Sequence, residues 1–114
     1  MPAEFQERRR HSRYTCDLGV EVKTADAKSG YWGTLGDISL GGCYVYTFSP
    51  LPSGTDVALR IKTEGAEIDM VGRVVAFHPG VGMGIEFRGS SAAGAEDSLK
   101  NLIVSLERKA AASM

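Results

Sequence analysis

Four arginines, Arg8, Arg9, Arg10 and Arg13, fall close together near the N-terminus, with His11 and Ser12 between the last two. A guanidinium is a planar fork of donors that suits phosphate oxygens and the O6/N7 edge of guanine, and its flat face stacks on a base. Arginines at this density can wrap a small polyanion or meet an acidic patch on a partner. The same segment also reads as a solvated basic tail. About two dozen residues later, the run Asp37-Ile38-Ser39-Leu40-Gly41-Gly42 sets a carboxylate acceptor two residues from a hydroxyl. If a strand continues through them, Asp37 and Ser39 share a face and can point at one ligand, while Gly41 and Gly42 permit close backbone approach. The local alternative is an Asx or Ser turn closing a hairpin, where these residue types are ordinary.

Other chemistry is sparse. The two histidines are His11, inside the arginine segment, and His78, in a His-Pro-Gly turn; neither is accompanied by a nucleophile motif or metal-ligand spacing. Asp37 and Ser39 lack an evident third catalytic partner, so the chain is not expected to be an enzyme. Cys16 and Cys43 are too far apart for a CxxC pair and lie in apolar strand patterns, which predicts buried free thiols in a reducing compartment.

The elements that must position these residues follow from periodicity. Cys16, Leu18, Val20 and Val22 alternate with polar residues or glycine, giving a half-buried strand over 16–24. Tyr31 to Ile38 and Cys43 to Phe48 read as two strands around the Asp37–Gly42 run. A fourth strand carries Val57, Leu59 and Ile61 inward with Arg60 and Lys62 outward, a fifth runs from about Glu67 to Phe77, and a sixth from Val81 to Phe87. Ala95, Leu99, Leu102, Ile103, Leu106 and Ala110 then recur at helical spacing, which predicts an amphipathic helix over 95–109. Short strands separated by Gly and Pro turns indicate a six-stranded antiparallel β-barrel or a sandwich, and a lone terminal helix most simply packs across an open barrel end. The expected organisation is an arginine-rich segment over 1–14, one barrel-plus-helix domain over 15–109, and a frayed tail over 110–114.

Composition agrees with one ordinary globular unit: 114 residues, 43% hydrophobic and 24% charged, with 13 basic against 14 acidic side chains. That balance argues against a DNA- or RNA-binding protein, which would usually carry a basic excess spread over a face. No stretch approaches the ~20 apolar residues of a membrane-spanning helix, and residues 1–12 lack the apolar core of a secretory signal. No membrane insertion and a cytoplasmic location are therefore expected.

The arginine segment and the later Asp/Ser hairpin together resemble the PilZ domain family. The matching residues are RxxxR as Arg9 to Arg13 and DxSxxG as Asp37, Ser39 and Gly42, within an all-β chain whose sixth strand reads Gly82-Met83-Gly84-Ile85-Glu86-Phe87. The resemblance covers essentially the whole chain. It implies a bacterial receptor for cyclic di-GMP, with no other cofactor. By the same resemblance, Arg9 and Arg13 would hold phosphate and guanine O6/N7, Asp37 would accept from guanine N1–H and N2–H, Ser39 would bond nearby, and Gly42 would keep the surface clear. Arg10 is a third ligand or solvated, and Arg8 precedes the motif where the family tends to bind a stacked ligand dimer.

The output implied is an unidentified protein effector, reached when ligand orders the arginine segment. Two other readings remain. One is a PilZ-fold interaction module without nucleotide, although such members usually lack one of the two motifs. The other is a single-strand nucleic-acid barrel using Tyr31, Trp32, Tyr44 and Tyr46 as stacking platforms. Tyr44, Tyr46 and Phe48 alternate with Cys43, Val45 and Thr47, so one set faces outward unless the helix covers it.

Overall fold

The computed structural model describes residues 12–24, 30–90 and 93–112. Arg8, Arg9, Arg10 and His11 lie outside the described residues, as do residues 25–29, 91–92 and 113–114. Six strands form: β1 (Tyr14–Thr24), β2 (Tyr31–Ile38), β3 (Gly42–Tyr46), β4 (Asp56–Thr63), β5 (Ala66–His78) and β6 (Gly82–Ser90), followed by the helix α1 (Ala95–Ala112). All pairings are antiparallel, and the strands close into a barrel in the order β1-β2-β3-β6-β5-β4.

Alternation explains the core. Val20 and Val22 of β1, Val57, Leu59 and Ile61 of β4, and Cys43 and Val45 of β3 all point inward and are buried. Each fully buried aliphatic side chain contributes about 1.5–3 kcal/mol relative to an exposed one. Exposed carboxylate–guanidinium pairs, Arg60–Asp69 and Arg73–Asp56, decorate the outer face of the β4–β5 pair. On β3 the outward set is Tyr44, Tyr46 and the following Phe48, which is 90% exposed, so these aromatics are not core under the helix.

The helix spans the barrel end at which β2 hands over to β3. Ala95, Leu99 and Ile103 are buried there, with Leu102 and Leu106 packed at the margin. Glu96 and Asp97 in the first turn and Lys109 in the last complement the helix dipole. Several boundaries differ from the sequence expectation: β1 begins at Tyr14 instead of Cys16, β3 ends at Tyr46 instead of Phe48, and the helix and β6 both run longer. The helix continues to Ala112 instead of fraying from residue 110, because alanine is the strongest helix former, yet Ala110 is exposed since the helix outruns the barrel beyond Leu106. Strand β6 extends through Ser90, pairing with Met70, instead of ending at Phe87. Gly89 there has φ +149°, a conformation that lets a bulge pass without ending the ladder.

Candidate functional site

The Asp37 side chain owes its direction to a bulge. Leu35 pairs with Val45 of β3, but Asp37 pairs with Tyr44, leaving Gly36 as an extra residue on β2. Strict alternation would turn Asp37 inward with Leu35. The extra residue reverses the phase, so Asp37 faces outward while Leu35 and Ile38 are both buried. Glycine also lets the Tyr46 ring lie against the bulge, since a Cβ on Gly36 would displace that ring.

Arg13, immediately before β1, reaches across to this carboxylate: Arg13 Nη1 lies 2.5 Å from Asp37 Oδ1, and both side chains are about one-third exposed. The two halves of the sequence motif thus meet on the barrel surface. The bond engages Oδ1, and a carboxylate offers about four lone-pair sites, so Asp37 can hold Arg13 and accept from a ligand N–H together. Its charge extends into the wall beneath. Burial, reinforced by Asp37, pushes the Cys16 thiol up to about 11 and raises Cys43 further; both are free, with Cys43 fully buried.

Ser39 and Gly42 behave differently. The strand ends at Ile38, so Ser39 does not continue the face of Asp37. It is 4% exposed, and its Oγ accepts the N–H groups of Gly41 at 3.1 Å and Gly42 at 3.2 Å while its own N–H donates to the Gly42 carbonyl at 2.8 Å. This is the Ser turn foreseen as the local alternative. Gly42 is also buried, and a Cβ there would strike the Ile85 carbonyl of β6. The absent side chain lets the β3 and β6 backbones approach closely enough to close the barrel. Gly41 accepts from the Phe87 N–H through its carbonyl, 2.9 Å away, which ties the turn to β6.

A groove of about 430 Å³ opens beside the turn, between Ser12, Tyr14 and Leu40 on one side and Lys100, Val104 and Glu107 of α1 on the other. The Tyr14 hydroxyl donates to Glu107 Oε2 at 3.3 Å, linking β1 to the helix. Neighbouring the site on β3 are Tyr44 and, across β6, His78, whose Nδ1 is 2.7 Å from the Tyr44 hydroxyl. Sequence reasoning did not join these two, which are 34 residues apart. Among the described residues, no group of three His, Cys, Asp or Glu side chains could hold a metal ion, and no helix is long and apolar enough to cross a membrane.

The geometry coincides with a family pattern: the PilZ domain profile matches residues 7–105. The chain belongs to the PilZ domain family. Among solved structures, the PilZ domain of YcgR from Escherichia coli with c-di-GMP superposes with a TM-score of 0.73 at 21% identity, covering 90% of this chain and 94% of that one. The PilZ domain of CeSA from a cellulose-synthesizing bacterium gives 0.65 at 28% identity, covering 84% and 98%. The Bacillus subtilis inhibitor of motility MotI/DgrA gives 0.73 at 19% identity, but this PilZ domain spans only 52% of that longer chain. No curated protein matches the chain.

Proposed function

We propose that this PilZ domain is a cytoplasmic receptor for cyclic di-GMP that signals through a protein partner. The observation that carries the reading is the meeting of Arg13 and Asp37 on an outward, bulged strand face of a PilZ barrel. A guanine presents adjacent N1–H and N2–H donors to a carboxylate and an O6/N7 edge to a guanidinium, and the ligand's two phosphodiesters call for further positive charge. Arg9 supplies the second motif arginine, and Arg8 and Arg10 extend the basic run. Structures of E. coli YcgR and Borreliella burgdorferi PlzA hold c-di-GMP, which makes the ligand natural for the fold.

Magnitudes are adequate. An exposed ion pair such as Arg13–Asp37 is worth about 0–1 kcal/mol, so repositioning Arg13 around a ligand costs little. Hydrogen bonds to charged groups contribute about 1.5–3 kcal/mol each, and four or five supply most of the ~8 kcal/mol of micromolar binding. Coupled ordering of the N-terminal segment offsets about 2–5 kcal/mol of this. Ligand gathers residues 8–13 against the β2–β3 hairpin, and the altered surface is what the partner reads.

Calorimetric titration of cyclic di-GMP into the wild type and into Arg9→Ala, Arg13→Ala and Asp37→Ala variants tests the reading, with GTP and a short oligonucleotide as controls. Specific wild-type binding lost in the variants is expected. No heat from a folded wild type would make this an adaptor that works without nucleotide. For the segment, amide NMR signals of residues 1–12 should disperse on saturation; unchanged signals would remove the ordering step.

A further inference from the structure

Beside Asp37 the barrel wall carries an aromatic surface that neither motif includes. Asp37, Tyr44, Gly84 and Ala76 form one outward row across β2, β3, β6 and β5, followed by the row Thr34, Tyr46, Gly82 and His78. Side chains directly opposite in such rows stand about 5 Å apart at Cβ. The Tyr44 ring lies over two residues with no side chain: a Cβ on Gly82 would sit 2.7 Å from Tyr44 Cε2, and one on Gly84 would sit 3.8 Å from Cδ1. The ring therefore packs close against β6, in the space that side chains at Gly82 and Gly84 would fill.

Its remaining edges are fixed. The hydroxyl meets His78 Nδ1 at 2.7 Å, with the two ring planes only 29° apart, and Tyr46 packs edge-on with centroids 5.3 Å apart. Tyr44 and His78 make a shallow, nearly continuous floor, and Tyr46, 53% exposed, makes a wall. Asp37 lies close enough for its charge to help raise the Tyr44 hydroxyl, after burial and Tyr46. A carboxylate that grips the edge of a planar base, next to a flat aromatic surface immobilised on glycine, is a two-point arrangement for a nucleobase: one point reads the edge and the other the face.

We infer that Tyr44 is the stacking floor for the base whose edge Asp37 holds, and that His78 is a positioning residue that fixes the Tyr44 ring through its hydroxyl. The inference rests on the nucleotide reading above and adds two ligand-site residues to it. Any planar base would gain from the floor, and only a base with paired N–H donors would also satisfy Asp37, so floor and carboxylate together favour guanine over adenine.

The test is titration of cyclic di-GMP into the full-length wild type and into Tyr44→Leu, Tyr44→Phe and His78→Ala variants, with thermal melts of each and NMR of the ligand's guanine H8 protons. Base–aromatic stacking predicts about a tenfold loss of affinity for Tyr44→Leu. Tyr44→Phe, which keeps the ring, should stay within about threefold of wild type, and His78→Ala should resemble it. In the wild type, at least one H8 signal should lie upfield of its position in the Tyr44→Leu complex and show contacts to Tyr44 ring protons; a purely structural Tyr44 would produce neither. Should Tyr44→Leu not fold, the ring-proton contacts to the ligand in the wild type and in Tyr44→Phe still decide. Wild-type binding with no Tyr44 contacts, or Tyr44→Leu binding as tightly as wild type, would overturn the floor alone. Absence of wild-type binding would overturn the nucleotide reading and the floor with it.

Discussion

Asp37 and Ser39 are two residues apart in one motif, yet they occupy opposite environments. Asp37 sits on a bulged strand, about one-third exposed and bonded to Arg13 from a distant part of the chain. Ser39 is buried, with its hydroxyl committed to the N–H groups of the turn it closes. The same division runs through the glycines: Gly36 permits the bulge that turns Asp37 outward, whereas Gly42 permits contact between β3 and β6. The motif therefore contains an outward half, to which the proposed reading assigns the ligand, and a buried half that builds the surface on which the first half stands. Substitutions in the two should separate, one moving affinity and the other stability.

The largest effect is expected at Gly42. A methyl group there meets main chain, which cannot swing aside, so Gly42→Ala should lose about 2–3 kcal/mol and melt some 10–20 °C lower in a calorimetric scan. A melting temperature within 2 °C of wild type, by the same scale, would refute the structural role. Next is Asp37→Ala, which removes the carboxylate that holds Arg13 and, in the proposed reading, the guanine edge. It should weaken cyclic di-GMP by about 10–100-fold while costing at most about 1 kcal/mol of stability. Equal losses in both would dissolve the distinction.

Ser39→Ala should show the converse, with about 1–2 kcal/mol lost in denaturant titrations because the buried Gly42 N–H and the part-buried Gly41 N–H lose their acceptor, and with affinity reduced less than by Asp37→Ala. The smallest response is expected from the thiols beneath the site. Both are raised above their ordinary value, so the folded state keeps protons that the unfolded chain releases. Their contribution to stability is full below about pH 8.5 and falls as pH rises towards 11. Alkylation at pH 7 should leave the buried Cys43 unmodified in the folded protein and label the half-buried Cys16 only slowly, and Asp37→Asn should make Cys16 only slightly more reactive; rapid wild-type labelling of Cys43 would contradict its burial.

Much of the fold was legible because its strands obey a period of two. Tyr31–Ile38 coincides with expectation, and Val57, Leu59 and Ile61 point inward as read. The helix stripe was legible through Ile103, where barrel surface lies beneath it, and failed at Ala110, where none does. The bulge escaped notice because alternation was followed without asking what Gly36 would do to its phase. The signal was present, since Leu35 and Ile38 are three apart and cannot both face inward on an unbroken strand. Arg13 and Asp37 were legible through the resemblance, and their contact bears on both halves of it. Ser39 was assigned to ligand although its type fits a turn equally well, and only the register decides between those uses. Tyr44 and His78 are joined by the β3–β6–β5 order, which local patterning does not contain.

The most direct test of this division is a paired calorimetric titration of cyclic di-GMP into Asp37→Ala and Ser39→Ala, at a temperature where both are fully folded. The account predicts that Asp37→Ala loses most of the binding heat while Ser39→Ala retains specific binding. Full binding by Asp37→Ala, or its loss in Ser39→Ala alone, would contradict it.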